Sequence, residues 1–270
     1  MTKVELVFSD IDGTLLNSKH EVTAEASQII QDLVKKGTKI ILASARPPGA
    51  MVSIADEVRL SSPLVCFNGA LITQYTEGSF DDLYSLTLER LDALQLYQTI
   101  STKFPEISFN IYSSERWYVE QEDEWVKQEA AITKMDPESI SMEYFLKEHL
   151  PVHKILCMGN PDDIQKLEDE LARANLSNIS YYRSKDTYME IVNNQVSKLG
   201  ALHFLCEKYG VALANTLAIG DNFNDMPMIM HAGKGIAMGN APDEVKQAAD
   251  CVTDTNDENG FYKALAMSLG

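Results

Sequence analysis

The sequence predicts an α/β protein: a parallel sheet covered by helices on both faces, interrupted by a separate α+β unit. Three observations support this. Short continuous apolar runs alternate with amphipathic helical stretches in the first and last thirds, the pattern of strands buried on both sides. The middle third has a different texture, with aromatic-rich strands and acidic helices. At 270 residues the chain also exceeds the usual size of one domain.

The first apolar run, 4–9 (VELVFS), reads as a strand that runs into Asp10 and Asp12. Residues 23–36 read as a helix, because Ala26, Ile29, Ile30, Leu33 and Val34 follow the i, i+3, i+4, i+7, i+8 spacing, with Thr23 as N-cap and Gly37 as stop. A second apolar run, 38–43 (TKIILA), precedes Ser44, Ala45, Arg46 and Pro47, and the proline suits the first turn of a new helix. A third, 64–67 (LVCF), leads into the turn signal Asn68-Gly69.

The last third repeats this rhythm. A helix over about 198–209 leads to a strand at 216–219 (TLAI) and then to GDNFNDMPM. A helix near 224–231, a strand at 235–238, a helix opened by Pro242, a strand at 250–253 and a C-terminal helix over about 259–268 follow.

The middle reads as a helix at 88–103, strands at 107–112 (ISFNIY) and 116–120 (RWYVE), and acidic helices near 122–131 and 138–149. A strand at 152–158, a helix at 161–174 and strands near 178–183 and 187–192 complete it. The chain therefore divides into a core of residues 1–83 and 190–270 and an inserted α+β unit of residues 84–189.

Composition excludes several classes. Forty acids against 23 Lys plus Arg give a formal charge of −17, and no basic stripe is present, which argues against nucleic acid as a partner. An anionic substrate would be repelled at long range, so a phosphate site must carry its own local positive charge. The start, MTKVELVF, lacks the basic and apolar regions of a signal peptide, and no run approaches the roughly 18 apolar residues of a membrane span. Cys66, Cys157, Cys206 and Cys251 are scattered without a C-x-x-C pair and read as small core residues, not zinc ligands. A cytoplasmic protein is expected, monomer or homodimer.

The informative polar residues fall where strands end, the place at which parallel α/β sheets bind ligands. Asp10 and Asp12 follow the first strand, Ser44 the second, and Asp221, Asn224 and Asp225 the strand at 216–219, while Lys198 begins a helix. Singly each has an ordinary reading: a turn-forming acid pair, an N-cap, an Asx-rich loop, a solvated lysine. Their joint order points to phosphoryl transfer. Like charges two residues apart raise each other's cost of ionisation unless something positive sits between them. A hard divalent cation such as Mg²⁺, held by Asp10, Asp12 and Asp221 with a substrate phosphate, removes that conflict. Asp10 can then attack phosphorus and form an aspartyl-phosphate, which water hydrolyses. Ser44 and Lys198 can bind phosphoryl oxygens, and the backbone N–H groups of Ile11, after Asp10, and of Ala45 complete the cradle.

DIDGT, ASAR, VSKLGAL and GDNFNDMPMI resemble the four signature motifs of the haloacid dehalogenase (HAD) superfamily of phosphatases. The α/β insertion between the second and third motifs resembles the type IIB cap of the Cof-type subgroup. The resemblance implies a Rossmann-like parallel-sheet core with a cap that sets substrate specificity. It implies Asp10 as nucleophile and metal ligand and Asp12 as general acid/base, with the backbone carbonyl of Asp12 touching the metal. It further implies Asp221 as the remaining metal carboxylate, Ser44, Lys198 and Asn224 as phosphate ligands, and Asp225 as the residue that orients Lys198. Two departures stand out: Ser44-Ala45-Arg46 replaces the usual Thr-Gly-Arg, and Leu199 replaces the glycine that usually follows the lysine. Serine keeps the hydroxyl, and neither change removes a functional group.

The expected activity is thus Mg²⁺-dependent hydrolysis of small phosphorylated metabolites, sugar phosphates above all. The alternatives are a phosphomutase sharing the aspartyl-phosphate, or a non-enzymatic metabolite-binding regulator on the same fold. The large cap resembles those on hydrolases, which ranks the mutase lower, and a regulator would be expected to have lost a catalytic residue. In the cap, Tyr112, Trp117, Tyr118, Tyr181, Tyr182, Arg183 and Tyr188 are candidates to meet the leaving group, with Arg183 as the expected polar specificity contact. Arg46 is expected to touch phosphate or to pair with an acid.

Overall fold

The computed structural model describes residues 3–148, 150–174 and 176–267. The chain up to Leu83 joins the chain from Ser197 in one compact unit, and Tyr84–Val196 forms a second. In chain order the first segment contains β1 (Leu6–Asp10), α1 (Ala24–Lys35), β2 (Lys39–Ala43), α2 (Pro48–Glu57), β3 (Leu64–Cys66), β4 (Leu71–Thr76) and β5 (Ser79–Ser85). The insertion contains α3 (Arg90–Lys103), β6 (Ser108–Ser113), β7 (Arg116–Val119), α4 (Glu124–Thr133), β8 (Glu138–Ser139), α5 (Met142–Lys147), β9 (Lys154–Met158), α6 (Pro161–Ala174), β10 (Ile179–Lys185) and β11 (Tyr188–Asn193). The return segment contains α7 (Lys198–Tyr209), β12 (Thr216–Gly220), α8 (Met226–His231), β13 (Lys234–Ala237), α9 (Asp243–Ala248), β14 (Cys251–Val252) and α10 (Gly260–Ala266).

The core sheet has the order β14-β13-β12-β1-β2-β3-β4-β5. Its first six strands are parallel, with Phe8 opposite Ala218 on one side and Ile41 on the other, while β4 runs antiparallel to β3. Leu6, Phe8, Ile40, Ile41, Leu217 and Ile219 are all buried, as expected of central strands covered on both faces. The chain leaves β1 toward β2 on one side and returns as β12 on the other, so β1 is a switch point whose carboxyl end opens a crevice.

Thr23 and Gly37 behave as the sequence predicts, and Ser197 and Gly210 do the same for α7. Thr23 caps α1, its hydroxyl accepting from the Ala26 N–H at 3.2 Å, and Ser197 caps α7 by accepting from Gly200 N–H at 3.0 Å. Gly37 ends α1 at φ 87° and Gly210 ends α7 at φ 63°. The β4–β5 hairpin lies outside the predicted elements. It turns on Glu77 and Gly78, at φ 52° and 87°, a pair of left-handed positions for which Glu-Gly is a weaker signal than Asn-Gly or Asp-Gly.

The second unit is a sheet of order β10-β11-β9-β6-β7-β8 with α3, α5 and α6 packed on one face. Leu96, Ile100, Phe145, Ile164 and Leu167 from those helices meet Ile111, Ile155, Cys157, Met189 and Ile191 from the strands. Two expectations change here. A boundary after residue 189 would cut β11, which pairs with both β9 and β10, so the inserted unit extends to Val196. The helix expected over 138–149 is confined to Met142–Lys147: Glu138 and Ser139 pair instead with Tyr118 and Val119, and Ser141 caps the helix that follows. Position 149 lies outside the described residues. Among those residues no helix is long and apolar enough to cross a membrane.

Candidate active site

Parallel register places the carboxyl ends of β1, β2, β3 and β12 along one edge, with Asp10 opposite Ala43 and Ile219 opposite Ser9. Ser44 follows Ala43 directly, so strand pairing brings acid and hydroxyl to the same sheet edge, although more than 30 residues separate them. Asp10 is buried at the last position of β1. Lys198, first residue of α7, has a fully buried side chain whose Nζ donates to Asp10 Oδ1 and, at 2.6 Å, to Asp225 Oδ1. The other oxygen of Asp225 accepts the N–H groups of Asp221 and Asn222, both at 3.0 Å. Thr14 donates its hydroxyl to Asp221 Oδ1 at 2.8 Å.

Asp10, Asp221 and Asp225 each place a carboxylate oxygen within 4.8 Å of the others. Burial raises the carboxyl pKa of Asp10 well above its usual range; Lys198 opposes that shift, while Asp225 and Asp221 add to it. Asp221 is pushed up to about 6, first by burial and then by the charge of Asp225, against the Thr14 hydrogen bond. For Lys198 burial pulls the pKa down, but the attraction of Asp10 and Asp225 outweighs it, and the ammonium is held charged. With all three carboxylates ionised, one ammonium would leave two negative charges in the site, which is the conflict that raises the pKa values of Asp10 and Asp221. The oxygen-only donor set and that residual charge fit a hard divalent cation. Since Asp225 is engaged by Lys198 and two backbone donors, Asp10 and Asp221 are the carboxylates with capacity to hold it.

Gly13 explains part of the DIDGT spelling. It sits at φ +80°, and a Cβ there would stand 2.5 Å from Asp221 Oδ2. The Asp12 carboxylate is not part of the cluster. Its two oxygens accept from Arg46, Nε to Oδ2 at 2.8 Å and Nη2 to Oδ1 at 2.6 Å, and His20 Nδ1 lies 3.8 Å from Oδ1. Arg46 therefore pairs with an acid of the site itself. Ile11 is buried, and its carbonyl accepts from Leu16 N–H at 2.9 Å, closing the loop that carries Asp12. Ser44 is buried, with its hydroxyl accepting from Arg46 N–H at 3.2 Å, and Ala45 is half-buried between them. Asn224 is exposed, and its amide Nδ2 donates to Asn68 Oδ1 at 3.0 Å. The sequence reading treats Asn68 as a turn former and assigns it no place in the site.

In the inserted unit, Arg183 lies on the sheet face that packs against helices. Residues directly opposite in an antiparallel ladder share a face, and Arg183 pairs with Met189, on the face covered by helices. It is held there by Glu168 Oε2 at 2.7 Å and by Gln165, both on α6. Tyr118 and Tyr181 also belong to that face. Tyr112, Trp117, Tyr182 and Tyr188 lie on the other, which carries a polar network. There Lys154 Nζ lies 3.2 Å from Glu190 Oε2, Tyr182 donates to the same oxygen at 3.1 Å, and Tyr188 donates to Glu129 at 2.8 Å.

The site is thus a lysine-bridged acid cluster at the carboxyl ends of the central strands of a doubly wound core. The chain matches the haloacid dehalogenase-like hydrolase family over residues 7–265. A provisionally named phosphatase of Haemophilus influenzae is 33% identical over 260 residues, covering 96% of each chain. A Bacillus subtilis 5-amino-6-(5-phospho-D-ribitylamino)uracil phosphatase is 29% identical, covering 97% of this chain and 94% of its own. The crystal structure of a haloacid dehalogenase-like hydrolase from Bacteroides thetaiotaomicron superposes with a TM-score of 0.87 at 32% identity, covering 98% and 99% of the two chains. The chain belongs to the haloacid dehalogenase-like hydrolases, and as an enzyme it stands with their phosphatases, the phosphoric monoester hydrolases.

Proposed function

We propose that this protein is a Mg²⁺-dependent cytoplasmic phosphatase of small phosphorylated metabolites, sugar phosphates first among them, working through an aspartyl-phosphate on Asp10. The observation that carries the reading is Lys198, buried between Asp10 and Asp225, with Asp221 beside them. Asp10, Asp221 and the main-chain carbonyl of Asp12 would hold the cation. When bound, it neutralises the acid cluster and draws charge from the phosphoryl oxygens.

A carboxylate oxygen of Asp10 attacks phosphorus, the bond to the ester oxygen breaks, and Asp12 hands its proton to the departing alcohol. Asp12 then takes a proton from water, whose oxygen attacks the same phosphorus; the bond to Asp10 breaks and inorganic phosphate leaves. Lys198, Ser44, Asn224 and the N–H groups of Ile11 and Ala45 bind the phosphoryl oxygens in both steps. Asp225 keeps Lys198 aimed at Asp10 through its 2.6 Å contact.

Substrate choice belongs to the inserted unit. Its sheet face opposite α3, α5 and α6, which meets α4 through Tyr188 and Glu129, carries Lys154, Glu190 and Tyr182, donors and acceptors suited to a hydroxyl-rich leaving group. A relative named for a phosphorylated ribityl compound supports this substrate class. The four unpaired cysteines suit a reducing cytoplasm.

The test is phosphate release from a panel of phosphorylated metabolites, with Mg²⁺ and with EDTA, beside the Asp10→Asn protein. Release that needs Mg²⁺ and disappears in the variant is expected. Turnover retained by Asp10→Asn would remove the nucleophile assignment, and full activity in EDTA would remove the metal.

A further inference from the structure

Beyond β3 the backbone enters the left-handed region at three consecutive residues: Phe67 at φ 50°, Asn68 at 57° and Gly69 at 105°. For a phenylalanine this region is disfavoured, and such strain persists only where surrounding contacts over-determine it. Those contacts are present. Phe67 N–H donates to the Arg46 carbonyl at 3.2 Å, and Asn68 N–H donates to the Ser44 carbonyl at 2.8 Å. A Cβ on Gly69 would lie 2.5 Å from the Ser197 carbonyl oxygen, so the turn is wedged against the residue that caps α7. The strained turn is thus tied to the loop bearing Ser44 and Arg46 and to the helix start bearing Lys198.

The outcome is the placement of one side chain. Asn68 is buried, and its Oδ1 accepts from Asn224 Nδ2 at 3.0 Å, across 156 residues of sequence. Asn224 sits exposed in the loop between β12 and α8. We propose that Asn68 is a positioning residue: it engages one N–H of the Asn224 amide so that the other is presented to a phosphoryl oxygen. This rests on the reading of Asn224 as a phosphate ligand. Asparagine also tolerates left-handed backbone, which offers a purely conformational reason for its presence. Glycine meets that demand at least as well and lacks the amide, so Asn68→Gly separates the two explanations.

The experiment measures steady-state kinetics and inhibition by inorganic phosphate for wild type, Asn68→Gly, Asn224→Ala and the double variant, with melting curves for each. Asn68→Gly should melt within a few degrees of wild type. Its KM and its inhibition constant for phosphate should rise together by about tenfold, the scale of one lost polar contact, with kcat less affected. In the Asn224→Ala background the same change should add nothing. A wild-type KM for Asn68→Gly beside a raised KM for Asn224→Ala would overturn the proposal alone, as would losses that multiply in the double variant. An unchanged KM for Asn224→Ala would overturn the phosphate-ligand reading itself, and the proposal with it. Should Asn68→Gly unfold, Asn68→Asp carries the test by NMR, because its carboxylate keeps an acceptor. The Asn224 side-chain amide resonance, identified by its absence in Asn224→Ala, should keep its downfield position in Asn68→Asp, and its collapse to a free-amide position would overturn the proposal.

Discussion

Arg46 grips Asp12 through both carboxylate oxygens, 2.8 Å from Nε to Oδ2 and 2.6 Å from Nη2 to Oδ1, although 34 residues separate the two in sequence. The pair is part-exposed, with Asp12 at 43% and Arg46 at 29% of full side-chain exposure, so its value is orientation more than stability. In the proposed mechanism this fork sets the starting position of the general acid/base. Arg46→Lys keeps the charge but loses the two-point geometry. We expect kcat to fall about tenfold with little change in melting temperature, within the range that acid–base catalysis contributes. A wild-type kcat would show that the fork does not position Asp12 for the chemistry.

Lys198 answers two buried carboxylates, and Lys198→Met leaves both unpaired. Breaking a buried pair from one side is expected to destabilise by about 3–5 kcal/mol. The melting temperature should therefore drop at pH 7.5 and recover part of the loss at pH 5, because burial raises the Asp10 carboxyl pKa and so favours neutralising that stranded group as pH falls. Equal losses at both pH values would mean that the deficit is packing and not charge.

Without divalent cation the wild-type protein should itself be sensitive to pH through Asp221. Its folded pKa of about 6 lies above the ordinary 3.8, so ionisation opposes folding. The stability conferred by the protonated form is complete below 3.8 and is lost as pH rises through about 6. Thermal melts in EDTA should accordingly rise from pH 7.5 toward pH 5, and Mg²⁺ should abolish that gain while binding more weakly as pH falls below 6. A flat profile in EDTA would show that Asp221 carries no such shift.

The inserted unit has its own buried pair. Lys154 and Glu190 are 7% and 9% exposed, with 3.2 Å between Nζ and Oε2. Lys154→Met strands Glu190 and should cost about 3–5 kcal/mol, whereas Lys154→Met with Glu190→Leu should recover most of it, since an apolar pair of similar volume is often neutral. Circular dichroism melts of the two proteins decide this, and an equally unstable double variant would show that Tyr182 and the network need the charges.

Much of the site was legible because its parts are local. Asp10, Ser44 and Asp221 stand where apolar runs stop, and Lys198 opens a helix. Periodicity and capping residues report such positions directly. The face that Arg183 occupies is not legible locally because it is a property of register: one residue of slip moves every side chain of a strand to the opposite face. The same alternation divided the aromatics of the insertion, sending Tyr181 to the helices and Tyr182 to Glu190. The end of the insertion was placed early because residue 189 lies inside a strand that only pairing with β9 and β10 identifies.

The sequence by itself determined the kinds of elements, the positions of the carboxylates, hydroxyl and lysine at their ends, and so the class of chemistry. Those features depend on side-chain type and on spacing within a dozen residues. Tertiary structure alone decided who meets whom. It brought Lys198 to Asp10 across 188 residues, gave Asp12 to Arg46 among forty acids, and turned a strained Asn68 toward Asn224. Such partners are chosen by strand register and by loops folding back over the sheet edge, and no local pattern encodes either.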